Sequence, residues 1–269
     1  MEILRLPAKP LKIVLIADIH IGRAQPEPCT RLPERARGLL KYVVQRINTE
    51  MRPDLVVQLG DLIEAEDEET DEENYETGLD LLRDLKMPCY QVVGNHDQAN
   101  LSATKLAGLL DRPKLYYSFD AGAFHFIVIF GQCSDGRAVV FDEQQKWLQQ
   151  DLAASEKPAI VFTHLPLHDE EERANPSGET EPIAFSAEQK RIIRSILAGS
   201  GKVRAVFCGH LHKNELHTVD DICYVAIQSL VQNISRVRKD ASETFAVVSL
   251  AESATKVEVE GMEPAEYHF

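Results

Sequence analysis

Cysteine is scarce in this chain, and none of it is spaced as Cys-x-x-Cys. Cys29, Cys89, Cys133, Cys208 and Cys223 are odd in number and scattered, which argues against a disulfide framework or a zinc knuckle and for buried reduced thiols. No apolar run approaches the roughly 20 residues needed to span a bilayer. The first such run, Ile13-Val14-Leu15-Ile16, is soon broken by Asp18, and no basic-then-apolar leader precedes it, so a cytoplasmic soluble protein is expected. Positive charge is also short, with 29 Lys and Arg against 43 Asp and Glu and a formal net charge of −14. That balance argues against a broad basic face for nucleic acid and against adhesion to anionic membrane. A Gly-rich phosphate loop ending in Lys and a Gly-x-Ser-x-Gly elbow are both missing, so a nucleoside triphosphatase or serine hydrolase has no support. Neither a linker nor a fixed-period repeat divides the chain, and residues 1–269 are read as one domain. Nothing in the sequence specifies an oligomeric state.

What is present is an alternation of short apolar runs and amphipathic stretches. Leu11 to Ala17 reads as a buried strand that ends in Asp18-Ile19-His20. Leu32, Ala36, Leu39, Leu40, Val43, Val44 and Ile47 recur at helical spacing, which predicts a helix from near Thr30. Leu55 to Leu59 forms a second strand and delivers Gly60-Asp61; a helix around Leu79, Leu82 and Leu85 follows. Cys89 to Val93 is the next strand, opening onto Gly94-Asn95-His96-Asp97. Strand and helix in alternation is the pattern of a layered α/β sheet. Further on, Tyr116–Phe119 and Phe124–Phe130 suggest a hairpin about Ala121-Gly122, and Asp142 with Gln145 reads as a capping box for a helix through Trp147 and Leu152. Ala159 to Thr163 leads to His164, Ser186 with Gln189 caps another helix, and Val203 to Cys208 delivers Gly209-His210-Leu211-His212. The remainder reads as strands and turns, at 215–219, 222–227, 244–250 and 255–259.

Two segments are read as loops. Glu64 to Glu76 carries nine acidic side chains and no basic one, so a solvated mobile loop is expected, with a lid beside Asp61 as the functional alternative. Residues 165 to 185 are read as a long polar loop and a second possible lid.

The strand ends together present Asp18, His20, Asp61, Asn95, His164, His210 and His212. All are oxygen or imidazole donors, a set suited to manganese, iron or zinc. Seven ligands exceed the needs of one tetrahedral ion. They suit two if a carboxylate bridges, and Asp61, central in order, is the natural bridge. Two ions about 3.5–4 Å apart can clamp a phosphoryl group and acidify a shared water. His96, beside the candidate ligand Asn95, can carry a proton.

The order Asp-x-His, Gly-Asp, Gly-Asn-His-Asp, His and Gly-His-x-His resembles the calcineurin-like metallophosphoesterases across residues 11 to 212. The resemblance implies a four-layer α/β/β/α sandwich. It assigns Asp18, His20, Asp61 and His212 to one divalent ion, and Asp61, Asn95, His164 and His210 to the other. It implies attack by a metal-bound hydroxide, with His96 acting at the leaving-group oxygen and Asp97 orienting it. Size, Asp-Ile-His and Gly-Asn-His-Asp are most similar to the class III cyclic nucleotide phosphodiesterases, so the expected substrate is a small nucleotide-like phosphodiester. His164-Leu165-Pro166-Leu167-His168 also resembles the branch that splits ADP-ribose and CDP-alcohols, although that branch tends to carry Gln in place of His20. A non-catalytic scaffold of the same fold is a third reading, disfavoured by the complete ligand set and His96. Arg23 is the preferred phosphate contact, since a guanidinium matches phosphate oxygens, and His168 is a candidate substrate group. His125 and His217 lie in expected strands and are read as structural.

Overall fold

The computed structural model describes residues 9–26, 30–169, 183–235 and 240–269. Among them the helices are α1 (Ala36–Arg46), α2 (Glu68–Arg83), α3 (Ala103–Leu109), α4 (Asp142–Ala154) and α5 (Ala187–Gly199). The strands are β1 (Leu11–Ile16), β2 (Leu55–Gln58), β3 (Cys89–Gln91), β4 (Tyr117–Ala121), β5 (Phe124–Val128), β6 (Gln132–Ser134), β7 (Arg137–Val139), β8 (Ala159–Phe162), β9 (Ala184–Phe185), β10 (Val203–Cys208), β11 (Glu215–Val219), β12 (Ile222–Ala226), β13 (Phe245–Leu250), β14 (Thr255–Glu260) and β15 (Ala265–His268). Two six-stranded sheets run in the orders β15-β14-β13-β1-β2-β3 and β11-β12-β10-β8-β5-β4. Within the first, β1, β2 and β3 are parallel; within the second, β5, β8, β10 and β12 are.

Strands such as Leu11–Ile16 are apolar throughout because both of their faces are covered. Successive side chains point to opposite faces. Ile13, Leu15 and Ala17 therefore enter a core shared with Phe126, Phe162, Phe207 and Val225 of the other sheet. Val14 and Ile16 face Leu40 and Val43 of α1, Leu79 and Leu82 of α2, and Leu106 of α3. On the far side, Val161 and Val206 pack on Leu148 and Leu152 of α4 and Ile193 and Leu197 of α5. Each fully buried aliphatic or aromatic side chain contributes about 1.5–3 kcal/mol. The result is a four-layer α/β/β/α sandwich, in which stacked rings run from Tyr90 through Phe119 and Phe126 to Phe162, with Phe207 tilted against the last, across the inter-sheet core.

Several local expectations change. The first helix starts at Ala36 after a 3-10 turn, Pro33–Arg35, because proline favours the opening of a turn over its interior. The acidic block is not a mobile loop. Asp67 caps α2 by accepting from the Thr70 N–H at 3.0 Å, and Glu68, Glu69 and Asp71 lie in the first turn, where the helix dipole favours negative charge. The capping box at Asp142 does not form. Phe141 is the N-cap with no side-chain bond, and Gln145 turns its amide to the Val140 carbonyl at 2.7 Å. Ser186 does cap α5, accepting from Gln189 N–H at 3.1 Å. Within the expected loop 165 to 185, residues 170–182 lie outside the described ones and Ala184–Phe185 forms β9 against β7. Helix α3, of 7 residues, and strands β6, β7 and β15, of 3, 3 and 4, are too short to show a hydrophobic period in the sequence. Cys89, Cys133 and Cys223 are free thiols, Cys208 is buried at the end of β10, and Cys29 lies outside the described residues.

Candidate metal centre

The loops that leave β1 and β2 keep bonding to each other after the strands end. Leu59 N–H donates to Ile16 O at 2.8 Å, Asp18 N–H to Gly60 O at 3.1 Å, and His20 N–H to Asp61 O at 3.0 Å. Along this braid the chain takes left-handed turns at Asp18, His20 and Asp61, each with φ of 51°, and across the site at His210 (67°) and His212 (50°). Side-chain-bearing residues avoid that region, and holding one there costs on the order of 1–3 kcal/mol. Five such residues gathered at one sheet edge are held there by their surroundings. The neighbouring glycines leave room for them. A Cβ on Gly94 would stand 2.1 Å from Asp61 Oδ1, and one on Gly209 would stand 2.4 Å from Asp18 Oδ2.

Two donor clusters result, Asp18 with His20 and His212, and Asp61 with His164 and His210. His20 Nε2 lies 3.1 Å from His212 Nε2 and 3.8 Å from Asp61 Oδ2, so the clusters adjoin. His212 Nε2 is 3.3 Å from Asp18 Oδ1, and His164 Nε2 is 3.2 Å from Asp61 Oδ2 and 2.9 Å from Asn95 Oδ1. All seven strand-end donors predicted from sequence thus meet at the edge where β1, β2, β3, β8 and β10 end.

The donor set fits divalent cations on its own geometry. His164 Nδ1 donates to the Leu59 carbonyl at 2.9 Å, and His212 Nδ1 faces the Gln232 amide oxygen at 2.8 Å. With those outer nitrogens engaged, the Nε2 atoms of His164 and His212 face the Asp61 and Asp18 carboxylates, the arrangement of imidazoles oriented for a metal. The protein's titration carries the same sign of demand. Burial works against a charged His164, yet the Asp61 carboxylate overrides it and lifts the imidazole to about 9. Burial holds His20 down to about 4, and burial with the neighbouring His164 holds His210 down to about 3. Burial opposes ionisation of Asp61, but His164 and His96 keep it well below the usual carboxylate range.

His96 stands at the rim. Its N–H donates to Asp61 Oδ1 at 2.8 Å, and its ring meets that of His20 edge-on, with centroids 4.8 Å apart. Asp97 does not take the expected position beside it. Its carboxylate accepts from the backbone N–H groups of Gly94 (2.8 Å), Leu62 (2.8 Å) and Ile63 (3.2 Å), stapling two loops together. Burial, with Asp61 close by, pushes Asp97 up to about 7. The carboxylate next to His96 is Glu64, whose Oε1 lies 3.3 Å from His96 Nδ1. Glu64, Arg31 and Gln232 are site residues that the sequence reading missed. Glu64 is embedded in an acidic run in which Asp67 caps α2 and Asp71 is buried against Asn100, so composition hid it; its position three residues after Asp61 was the one available signal.

The two substrate candidates lie differently. Arg23 is exposed and pairs through Nε with Glu66 Oε2 at 3.0 Å. His168 is buried rather than exposed, stacks on His217 with centroids 4.7 Å apart, and places Nε2 3.0 Å from Glu215 Oε1. It belongs to a cluster outside the seven-donor set. His125 is structural, held between Asp120 and Asp151 at 2.7 Å each.

Comparison with curated proteins gives no match. Among solved structures, a dimetal phosphatase from Danio rerio is 17% identical, covers 96% of this chain and 98% of its own, and superposes with a TM-score of 0.76. GAP50, described as the anchor in the inner membrane complex of Plasmodium, is 16% identical over 97% of this chain and 89% of its own, with a TM-score of 0.61. At these identities the likeness is one of fold. The sequence model of the calcineurin-like phosphoesterases matches residues 11–214. With the four-layer fold and its ring of strand-end donors, that match establishes that the chain belongs to the calcineurin-like phosphoesterases.

Proposed function

We propose that the protein hydrolyses a phosphodiester bond in a small, nucleotide-like substrate, using two divalent ions drawn from manganese, iron and zinc. Asp18, His20, Asp61 and His212 would hold one ion, and Asp61, Asn95, His164 and His210 the other. Together such ions supply a clamp for phosphoryl oxygens and an acidified water. The rest falls to the chain's own groups. His96 keeps its Nδ1 toward Glu64, which leaves Nε2 to give a proton to the departing alkoxide. Asp97 keeps the loop bearing Asn95 and His96 against the loop after Asp61.

The observation that carries this reading is the convergence of seven donors with a proton-carrying histidine at their rim. The preference for a diester rests on charge. The net charge is −14, and the two arginines of the first long loop are already matched, Arg23 by Glu66 and Arg31 by Glu64. Little positive charge is left over for the second negative charge of a monoester. Manganese-loaded protein should therefore release nitrophenol faster from bis(p-nitrophenyl) phosphate than from p-nitrophenyl phosphate at matched concentration. A faster monoester would make the protein a phosphatase instead.

A further inference from the structure

Strand β5 runs parallel to β8 with Val128 paired to Phe162, and the Ile129 N–H donates to the Phe162 carbonyl at 2.8 Å. By that register β5 delivers Phe130 to the edge where β8 delivers His164, one strand spacing of about 4.8 Å across. Phe130 lines a cavity of about 360 Å³, whose other walls include Ala103 and Ala107 of α3, Tyr116 ahead of β4, Gln132 of β6 and Phe141 ahead of α4. These walls are fixed by buried polar bonds. The buried Gln144 side chain accepts from the Phe130 N–H at 2.9 Å and donates to the Phe130 carbonyl at 2.7 Å. Gln132 donates to Gln98 Oε1 at 3.4 Å, and Gln98 donates to the Gly94 carbonyl at 3.0 Å. A chain of amides thus ties the cavity wall to the loop that carries Asn95 and His96.

The rim is apolar where a solvated surface would be polar. Among the described residues four large hydrophobic side chains are exposed, and two of them, Val139 (39%) and Phe141 (59%), stand here. Charge at the mouth cancels, since the Lys114 ammonium lies 2.6 Å from Glu143 Oε1 and 2.8 Å from the Tyr116 hydroxyl. A mouth without net charge does not suit a second phosphate. Three aromatic rings with an amide and a hydroxyl among them suit a flat ring with a polar edge better than a hydrocarbon chain. The volume lies at the small end of the ~300–1,000 Å³ usual for ligand pockets and is enough for a purine.

We propose that this cavity is a base subsite: it holds the nucleobase of a substrate whose phosphodiester lies at the metal centre, with Tyr116, Phe130 and Phe141 supplying ring faces and the Gln132 amide meeting the polar edge. The inference rests on the phosphoesterase reading above and sharpens it, naming the wall that recognises the organic group.

The chain's single tryptophan reads the cavity directly, because Trp147 packs on Tyr116 with ring centroids 4.9 Å apart. Adenosine, which carries no phosphate, is titrated into manganese-loaded protein while Trp147 fluorescence is followed, with octyl phosphate titrated in parallel. Wild type, Phe141→Ala and the cavity-filling Ala107→Phe are compared, each checked for fold by circular dichroism and for manganese binding by calorimetry. Turnover is measured on the p-nitrophenyl ester of AMP and on methyl p-nitrophenyl phosphate, which share a leaving group and differ in the nucleoside. Adenosine should change the Trp147 signal saturably. Phe141→Ala should weaken adenosine about tenfold, the loss of one base–aromatic stack, and shrink the advantage of the AMP ester by the same factor through KM. Ala107→Phe should abolish the adenosine response with manganese binding intact. No response to adenosine in wild type, or an advantage of the AMP ester that survives both variants, would overturn the proposal. So would a response to octyl phosphate alone, which would make this a hydrocarbon-chain site. Self-association in sedimentation that Phe141→Ala abolishes would overturn it too, making the rim an interface between copies. If wild type hydrolyses neither ester while adenosine still perturbs Trp147, the phosphoesterase reading falls and the base site stands.

Discussion

Two groups of histidines and carboxylates sit in this molecule, and they are built on opposite terms. In the metal centre, five of the residues stand in left-handed backbone turns, and inner imidazole nitrogens face each other across 3.1 Å. In the other group, His168, Glu215 and His217 adopt ordinary backbone, and the carboxylate is already satisfied. Glu215 bonds His168 at 3.0 Å, approaches His217 at 3.5 Å and pairs with the Lys213 ammonium. The first group carries an excess of lone pairs and strain that a cation would relieve; the second closes its own charge. Residue type alone does not separate them, because both are histidine with acid. The separation lies in backbone strain and in what each nitrogen's second face touches.

The sharpest way to break this comparison is at its centre. Asp61 faces both donor clusters, so Asp61→Asn should release both ions and, since each ion is worth several kcal/mol to a phosphoryl transition state, lower kcat/KM by about four orders of magnitude. Elemental analysis and turnover on the same sample check it; unchanged metal content would reject the bridging role.

Next in size is His96. His96→Ala should keep its metals and lose about 10²–10⁴-fold on alkyl diesters, with much less lost on nitrophenyl esters, whose leaving group departs without a proton. Kinetics on one ester of each kind, with metal content measured alongside, decide it. Lost metal would make His96 a ligand.

The second cluster should respond in the opposite way. Glu215→Ala ought to leave metal content and turnover as they are while lowering stability by about 1–3 kcal/mol, since it strips a partner from the buried His168. Urea unfolding and a turnover assay measure both, and a fall in metal stoichiometry would erase the distinction drawn here.

The smallest effect belongs to a third histidine contact, His125 between Asp120 and Asp151. Burial opposes its charge, but the two carboxylates outweigh that and raise its pKa above 6.5. A raised histidine contributes stability that is complete below the unfolded value and disappears as pH climbs through the folded one. The melting temperature of His125→Gln should therefore fall short of wild type more at pH 5.5 than at pH 8.5, by an amount corresponding to under about 1 kcal/mol after solvent screening. A larger gap at the higher pH would contradict the assignment.

How much of this was legible beforehand follows from range. Strand identity, the four layers implied by the motif resemblance, and the seven donors are encoded locally. An apolar run doubly covered reads as such, and a ligand that must leave a strand end sits directly after it in sequence, as Asp18, Asp61 and His164 do. Caps are local too, which is why Ser186 was legible, while Asp142 failed because Phe141 preceded it with suitable geometry and the Gln145 amide found the Val140 carbonyl. The acidic run misled because charge counting averages over side chains with different fates. Asp67 and its neighbours serve a helix start, whereas Glu64, in the same run, turns inward. Its partners Arg31, His20 and His96 come from three separate segments, and only the packing of those segments brings them to one carboxylate. The same holds for Asp97, whose three backbone donors come from two loops. The sequence by itself determined which groups could do chemistry, since donor types and strand ends are properties of neighbouring residues. Only the tertiary structure decided which nitrogen each histidine turns inward, because that depends on an acceptor drawn from elsewhere in the chain.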